Sequence, residues 1–341
     1  MNITNTTEDP LITKKTEVKF ITINNRHGGS ISLSNYGATL VSVVVPDREG
    51  RLSDVVLGFS KPEDYFKDNN YLGATIGRFA NRIANGKFEL DGKTFQLQTN
   101  NGKHANHSGV NGFSNKFFDY QTAGNKVIFS LYSEEGEGGF PGDLHCMVTY
   151  ELNDKNEILI NYQAYSNQKT IVSLTNHAYF NLSGKQSDIF DHCLYIHSEK
   201  MLEMDQDYLP TGKIIHTMLN TFKGQQVAEV ITGNNNKGLN NYYLLEKQTP
   251  AEVVLAAELS HLPSGRRLKV FTDSYGVLLY TGDFLETTGL GHHGKPYTAY
   301  NGLCLECQHY PDAPNQRIAP PVTLEKGAVY QQKIIYQFDT I

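Results

Sequence analysis

Apolar and polar residues alternate with a period of two along most of the chain. Residues 17–23 set Val18, Phe20 and Ile23 among Lys19 and Thr22. Residues 30–45 carry Ile31 and Leu33, then Leu40-Val41-Ser42-Val43-Val44-Val45, and stop at Pro46-Asp47. A period of two puts successive side chains on opposite faces, so both segments are predicted as strands. Residues 87–97 give the plainest case: Phe88 and Leu90 precede Asp91-Gly92, and Phe95 and Leu97 follow it. An Asp-Gly pair supplies the positive φ angles of a tight type I′ turn, so this stretch is predicted as a hairpin. Further strands are predicted over residues 126–132, 146–152, 158–165, 171–182, 267–272, 277–281, 302–307 and 329–336. Helical signals are confined to residues 61–66 and 225–232. Many short strands with turn signals between them predict an all-β fold: one large antiparallel sandwich with few short helices.

Length alone would allow two domains in 341 residues, but β-sandwiches often run longer as one. No internal repeat, low-complexity linker or composition shift marks a boundary, so residues 1–341 are expected to form a single domain. The chain is 39% hydrophobic, ample for a core, which excludes wholesale disorder. Thirty Lys and Arg against 36 Asp and Glu, with no basic block, argue against a nucleic-acid partner. No stretch approaches the roughly 20 apolar residues of a membrane helix, so no membrane partner is expected. Met1 to Pro10 is polar and lacks the apolar run of a signal peptide. Four Cys are too few for a disulfide scaffold, which points to the cytoplasm. Cys304 and Cys307 form a C-x-x-C, but their odd spacing on a strand would put them on opposite faces and oppose joint metal or redox chemistry.

Residues 289–295 satisfy both G-x-G-x-x-G and G-x-x-x-x-G-K, but Pro296 follows where a P-loop needs Ser or Thr. No strand–helix pattern surrounds them, so a flexible surface loop is the better account. Four other segments carry candidate chemistry. Residues 73–83 hold Arg78, Asn81 and Arg82; on a strand the two arginines would face the same way. Residues 104–113 hold His107 among polar neighbours. In residues 173–182, Asn176, His177 and Asn181 interrupt an apolar run, and Glu306 lies amid apolar residues in 303–312. A lone buried His is more often a hydrogen-bonded core residue than a catalyst. A buried carboxylate is costly unless paired, and burial raises its pKa towards neutrality, where it can exchange protons. A His and a Glu on opposing walls would supply an acid and a base. His292-His293 lacks a spaced third ligand, and no G-x-S-x-G nucleophile motif occurs. The residues point to acid–base chemistry on a neutral, hydroxyl-rich ligand, with no metal and no cofactor.

These segments resemble the aldose 1-epimerase (galactose mutarotase) family. Matching stretches run in family order from residue 34 to residue 315. They include 34–40, 55–59, 73–86, the hairpin at 87–97, His107 with Gly109, 139–142, 209–212, and 264–266. The most specific are Asn176-His177-Ala178-Tyr179-Phe180-Asn181-Leu182 and Leu305-Glu306-Cys307-Gln308-His309-Tyr310-Pro311-Asp312. The resemblance implies an antiparallel β-supersandwich of the galactose mutarotase type that interconverts α and β anomers of free aldohexoses. It implies Glu306 as the base that takes the anomeric O1 proton and His177 as the acid at ring O5. His107 would support the ring oxygen or nearby hydroxyls. Arg78, Gln308 and Tyr179 would bind the sugar. The partner would be a small-molecule sugar, and the protein a monomer or a dimer.

The chain departs from the family pattern in three places. Asn240-Asn241 stands where the family usually has Asp-His. An amide can accept a sugar hydroxyl but offers no charge-assisted bond, so altered affinity or specificity is expected at Asn240. Asn106-His107-Ser108-Gly109 replaces the usual Leu-His-Gly-Gly, and Phe118 falls near the position of a common Trp. In a chain without Trp, Tyr and Phe would line the site, with Phe118 among them. Two alternatives stand beside a mutarotase. One is a paralogue carrying out isomerisation or cyclisation of another substrate; the other is a sugar-binding protein without turnover.

Overall fold

The alternating segments form strands in a computed structural model that describes residues 17–216 and 223–341. The polar stretch Met1 to Pro10 lies outside the described residues. Three antiparallel sheets carry most of the strands. The largest has nine, in the order Asp119–Ala123, Lys126–Ser133, Leu144–Leu152, Glu157–Ser166, Val329–Thr340, Arg266–Thr272, Val254–His261, His192–Ile196 and Lys223–Gln226. A six-stranded sheet runs Tyr179–Phe180, Leu303–Gln308, Gly276–Tyr280, Asn240–Leu244, Lys200–Met204 and Pro210–His216. A four-stranded sheet holds Phe20–Asn24, Ser30–Ser34, Thr39–Pro46 and Leu52–Asp54. The predicted hairpin pairs Lys87–Leu90 with Lys93–Gln96, and Asp91 and Gly92 take φ of 52° and 74° between them. The two helical signals become a 3₁₀ helix at Pro62–Lys67 and an α-helix at Val227–Gly233. Among the described residues, no helix is long and apolar enough to cross a membrane.

The inward faces of all three sheets meet in one apolar core. Val43 and Val45 come from the four-stranded sheet, Val148, Ile160 and Tyr336 from the nine-stranded, and Leu279 and Leu305 from the six-stranded. Each fully buried aliphatic side chain contributes roughly 1.5–3 kcal/mol. Leu303–Gln308 is buried on both faces, as befits a near-continuous apolar strand. Leu303, Leu305 and Cys307 enter the main core, while Cys304 joins a separate cluster with Leu57, Phe59 and Tyr179. The two cysteines are therefore free and set in different clusters, as their odd spacing predicts. Glu306 lies on the same side of the strand as Cys304, away from the main core.

Two expectations need correction. Residues 171–182 are not one strand but three short ones, Thr170–Ile171, Thr175–Asn176 and Tyr179–Phe180, each pairing with a different part of the chain. The cause is local: the Asn176 side-chain oxygen accepts the Ala178 N–H at 3.1 Å, which turns the backbone at His177. Residues 73–83 also break, into Thr75–Ile76 and Arg82–Ile83, with Asn81 left-handed at φ 68°. Arg78 and Arg82 consequently point to different places. The 289–295 segment is a surface loop as expected, and it is anchored at its ends. Gly291 N–H donates to Lys295 O, the Tyr297 hydroxyl donates to Gly58 O, and the His292 ring meets Val41 O at 2.9 Å.

Gly73 ties these pieces together. Its N–H donates to His177 O at 3.0 Å, and its carbonyl accepts the Asn176 amide at 2.8 Å. Its φ is 68°, and a Cβ there would lie 2.0 Å from Leu40 O. Gly73→Ala is expected to cost about 2 kcal/mol or more and to disturb His177, read as a lower midpoint in denaturant unfolding. An unchanged midpoint would contradict this packing.

Candidate active site

Four segments that are distant in sequence converge on one cavity of about 820 Å³. The Asn176 turn presents His177, the left-handed residues at 107 and 81 present His107 and Arg82, and the strand Leu303–Gln308 presents Glu306. Asn240 lines it from Asn240–Leu244, two strands away in the same sheet. Tyr71, Tyr179, Tyr208, Tyr280 and Phe284 supply aromatic walls, and Asn69, Asn70, Asn100, Asn101 and Gln206 surround them with neutral amides. Such a lining suits a ligand with apolar faces and many hydroxyls.

His177 Nε2 stands 3.6 Å from Glu306 Oε1, with both side chains almost wholly buried. The other Glu306 oxygen has no hydrogen-bond partner among the described residues. Burial pushes the Glu306 carboxyl up to about 8, while the Arg82 charge pulls it the other way. Burial holds His177 down to about 4. His107 is driven well below the usual imidazole range by burial, with the His177 and Arg82 charges adding to the effect. The two imidazoles pack edge to face, 5.3 Å between centroids, and Tyr71 packs against both. On its far side, His177 Nδ1 lies 3.6 Å from Cys304 Sγ.

Donor atoms of His107, His177 and Glu306 all fall within 4.8 Å of one another, a grouping that could surround a cation and that sequence spacing does not reveal. The tautomer of His107 opposes that role. Asn81 N–H donates to His107 Nδ1 at 3.2 Å, so the neutral ring carries its proton on Nε2. That nitrogen is a hydrogen-bond donor, not a free lone pair. The arrangement instead provides a proton donor, a proton acceptor and a fixed N–H around a small volume.

Of the sequence-predicted residues, His107, His177, Glu306, Asn240 and Tyr179 line this cavity. The Asn240 side-chain oxygen is buried without a partner among the described residues. Three expectations fail on geometry. Arg78 is buried in a cage, donating to the carbonyls of Ser133, Glu134, Pro141 and Gly142 and to the Ser133 hydroxyl. It braces the chain and does not reach the cavity. Gln308 is wholly buried beneath Tyr242, whose hydroxyl donates to Gln308 O at 2.9 Å, and it does not line the cavity. Phe118 packs between Phe113 and Phe129 in the main core. Arg82 takes the cavity position: its Nε donates to the Asn101 side chain at 3.2 Å, and its guanidinium lies over the Tyr208 ring at 5.2 Å. The sequence already held Arg82 in the same motif as Arg78. The left-handed turn at Asn81, which decides between them, is what periodicity missed. Nothing in the local pattern singled out Tyr71 or Tyr208.

Known proteins resemble this chain over nearly its full length. A family model described as aldose 1-epimerase matches residues 19–337. The galactose mutarotase of Homo sapiens is 39% identical over 312 residues, 90% of each chain. The aldose 1-epimerase of Escherichia coli is 33% identical over 330 residues, covering 94% of this chain and 95% of that one. Among solved structures, an aldose epimerase homologue from C. elegans superimposes with a TM-score of 0.90 at 33% identity, covering 95% of this chain and all of the other (100%). The galactose 1-epimerase of Lactobacillus acidophilus gives a TM-score of 0.81 at 25% identity, over 95% of this chain and 99% of that one.

Proposed function

The chain belongs to the aldose 1-epimerase family, and on that premise we propose how its cavity interconverts the α and β anomers of free aldohexoses such as galactose and glucose. The observation that carries the mechanism is the buried His177–Glu306 pair, 3.6 Å apart and open to the cavity. Mutarotation needs a proton to leave O1 while another arrives at ring O5. Two oxygens on one carbon therefore require an acid and a base side by side. Glu306 takes the O1 proton and His177 protonates O5. The ring opens to the aldehyde, the C1–C2 bond rotates, and closure on the other face reverses both transfers. His107 donates its Nε2–H to a sugar oxygen, Arg82 and Asn240 bind hydroxyls, and Tyr179 walls the sugar. The substrate is a small neutral sugar, no cofactor takes part, and neither nucleic acid nor membrane is a partner. Residues 1–341 act as one cytoplasmic unit, as a monomer or dimer.

The protonation states fit this cycle. With Glu306 near 8 and His177 near 4, the resting pair holds one proton, on the carboxyl. That form closes the ring, because it can protonate the aldehyde oxygen and accept the O5 proton. Shifting the proton to His177 gives the form that opens it, with no exchange with solvent. The value of kcat/KM is therefore expected to stay level between about pH 4 and about pH 8. It falls below that window as the pair gains a second proton and above it as the pair loses its only one. Unshifted groups would lose activity above the ordinary histidine value of about 6.5. A decline complete by pH 7 would contradict the assignment.

Asn240 bears on which sugar is preferred. Its unpartnered oxygen can accept one hydroxyl, and a carboxylate would accept it about twice as strongly. Asn240→Asp is expected to lower KM for hexoses by about tenfold. Proton NMR exchange between anomeric C1 protons, run on a panel of aldohexoses with non-sugar hemiacetals included, reads both points. Faster exchange on hexoses supports the assignment. Exchange on non-sugar hemiacetals alone would indicate another substrate, and exchange on none would indicate binding without turnover.

A further inference from the structure

The imidazole of His177 is held at both ends by one strand. Cys304 and Glu306 are two residues apart on Leu303–Gln308, so their side chains project from the same face. Glu306 Oε1 meets Nε2 at 3.6 Å, and Cys304 Sγ meets Nδ1 at 3.6 Å. We infer that Cys304 is a positioning residue, whose thiol fixes the ring of His177 so that Nε2 faces the substrate.

The inference rests on the acid–base roles proposed above and adds a partner for the acid. The second nitrogen of a working histidine normally has a defined partner that sets tautomer and basicity. A carboxylate there would stabilise the imidazolium. A thiol does not, because its S–H is a weak donor and its sulfur a weak acceptor. Cys304 is wholly buried beside Tyr179 and Leu57, and burial together with the Glu306 charge keeps it protonated. It is thus an uncharged partner that lets His177 return its proton readily. The other groups facing the ring are Glu306, His107, Tyr71 and Tyr179, and the Arg82 charge acts on the neighbouring His107 and Glu306. Both tyrosines are raised above the ordinary phenol value by burial and stay uncharged. The ring also hydrogen-bonds its own backbone, so among the described residues Cys304 is the polar side chain set against Nδ1.

Two variants and two readouts test this. Cys304→Ala removes the partner, and Cys304→Ser keeps a hydroxyl of similar size in its place. The alanine variant is expected to lose about ten- to a hundredfold in kcat with KM little changed, the scale of losing a partner behind a functional histidine. The serine variant should recover most of that loss. Independently of turnover, the ¹⁵N shifts of His177 should report one dominant tautomer in the wild type and in Cys304→Ser, and a mixture in Cys304→Ala. Thermal melting separates a general loss of fold from a local one, because a merely packed cysteine would lower stability without moving the tautomer signature. Wild-type kcat in Cys304→Ala with an unchanged ¹⁵N signature would overturn the inference. If the wild type showed no mutarotation, the ¹⁵N comparison would still decide the contact, so the two claims fail separately.

Discussion

Glu306→Gln is expected to lower mutarotation about a thousandfold, the scale of a lost general base, while the protein stays folded. The amide fills the same space, so the core strand Leu303–Gln308 keeps its packing, but it cannot take the O1 proton. The same change should make the protein more stable in alkali. The Glu306 carboxyl sits at about 8 in the folded chain against an ordinary 4.5. Below 4.5 the folded form has the full benefit of a neutral buried acid, and that benefit is lost as pH rises through about 8. Gln has no proton to lose, so by pH 9 the variant should be more stable than the wild type by a few kcal/mol, on the order of the shift itself. Melting curves at pH 6 and pH 9 read this directly. A variant that keeps more than about a tenth of the activity would show that Glu306 is not the base.

His177→Asn carries the second large effect, also about a thousandfold in kcat/KM. Asparagine keeps a polar group at the turn and can donate a hydrogen bond, but it cannot deliver a proton to O5. Its stability should change in the opposite pH direction from the glutamate variant. His177 lies near 4 in the folded chain against an ordinary 6.5, so the unfolded chain takes up its proton first as pH falls. The wild type therefore loses stability between about 6.5 and 4, and the asparagine variant should be spared that part of the loss. Equal acid sensitivity in the two proteins would contradict a neutral, desolvated His177.

Much of the fold was legible because most of the chain buries one face and wets the other. The strand Glu157–Ser166 shows this plainly, with Ile158, Ile160, Tyr162 and Ala164 buried in alternation. The hairpin at Asp91-Gly92 carried its own turn chemistry. Periodicity failed where side chains bond their own backbone. The Asx turn at Asn176 cut a predicted strand into pieces, and the left-handed Asn81 separated Arg82 from Arg78. Strands such as Lys200–Met204 and Asn240–Leu244 were missed because their burial does not alternate cleanly. The site followed the same division. His107, His177 and Glu306 stand out as polar residues in apolar or glycine-rich settings, and the fold brings them together. The aromatic walls did not stand out. Tyr71 and Tyr208 reach the cavity from isolated positions with φ of 59° and 58°, which no period of two or of 3.6 encodes.

The central claim is that a buried carboxyl and a buried imidazole exchange one proton across a sugar ring. Polarimetry on freshly dissolved α-galactose and α-glucose, with wild type, Glu306→Gln and His177→Asn at equal micromolar concentration, tests it most directly. The expected result is rapid approach to the equilibrium rotation with the wild type and near-buffer rates with both folded variants. Wild-type traces that overlay buffer, or variants that match the wild type, would contradict it.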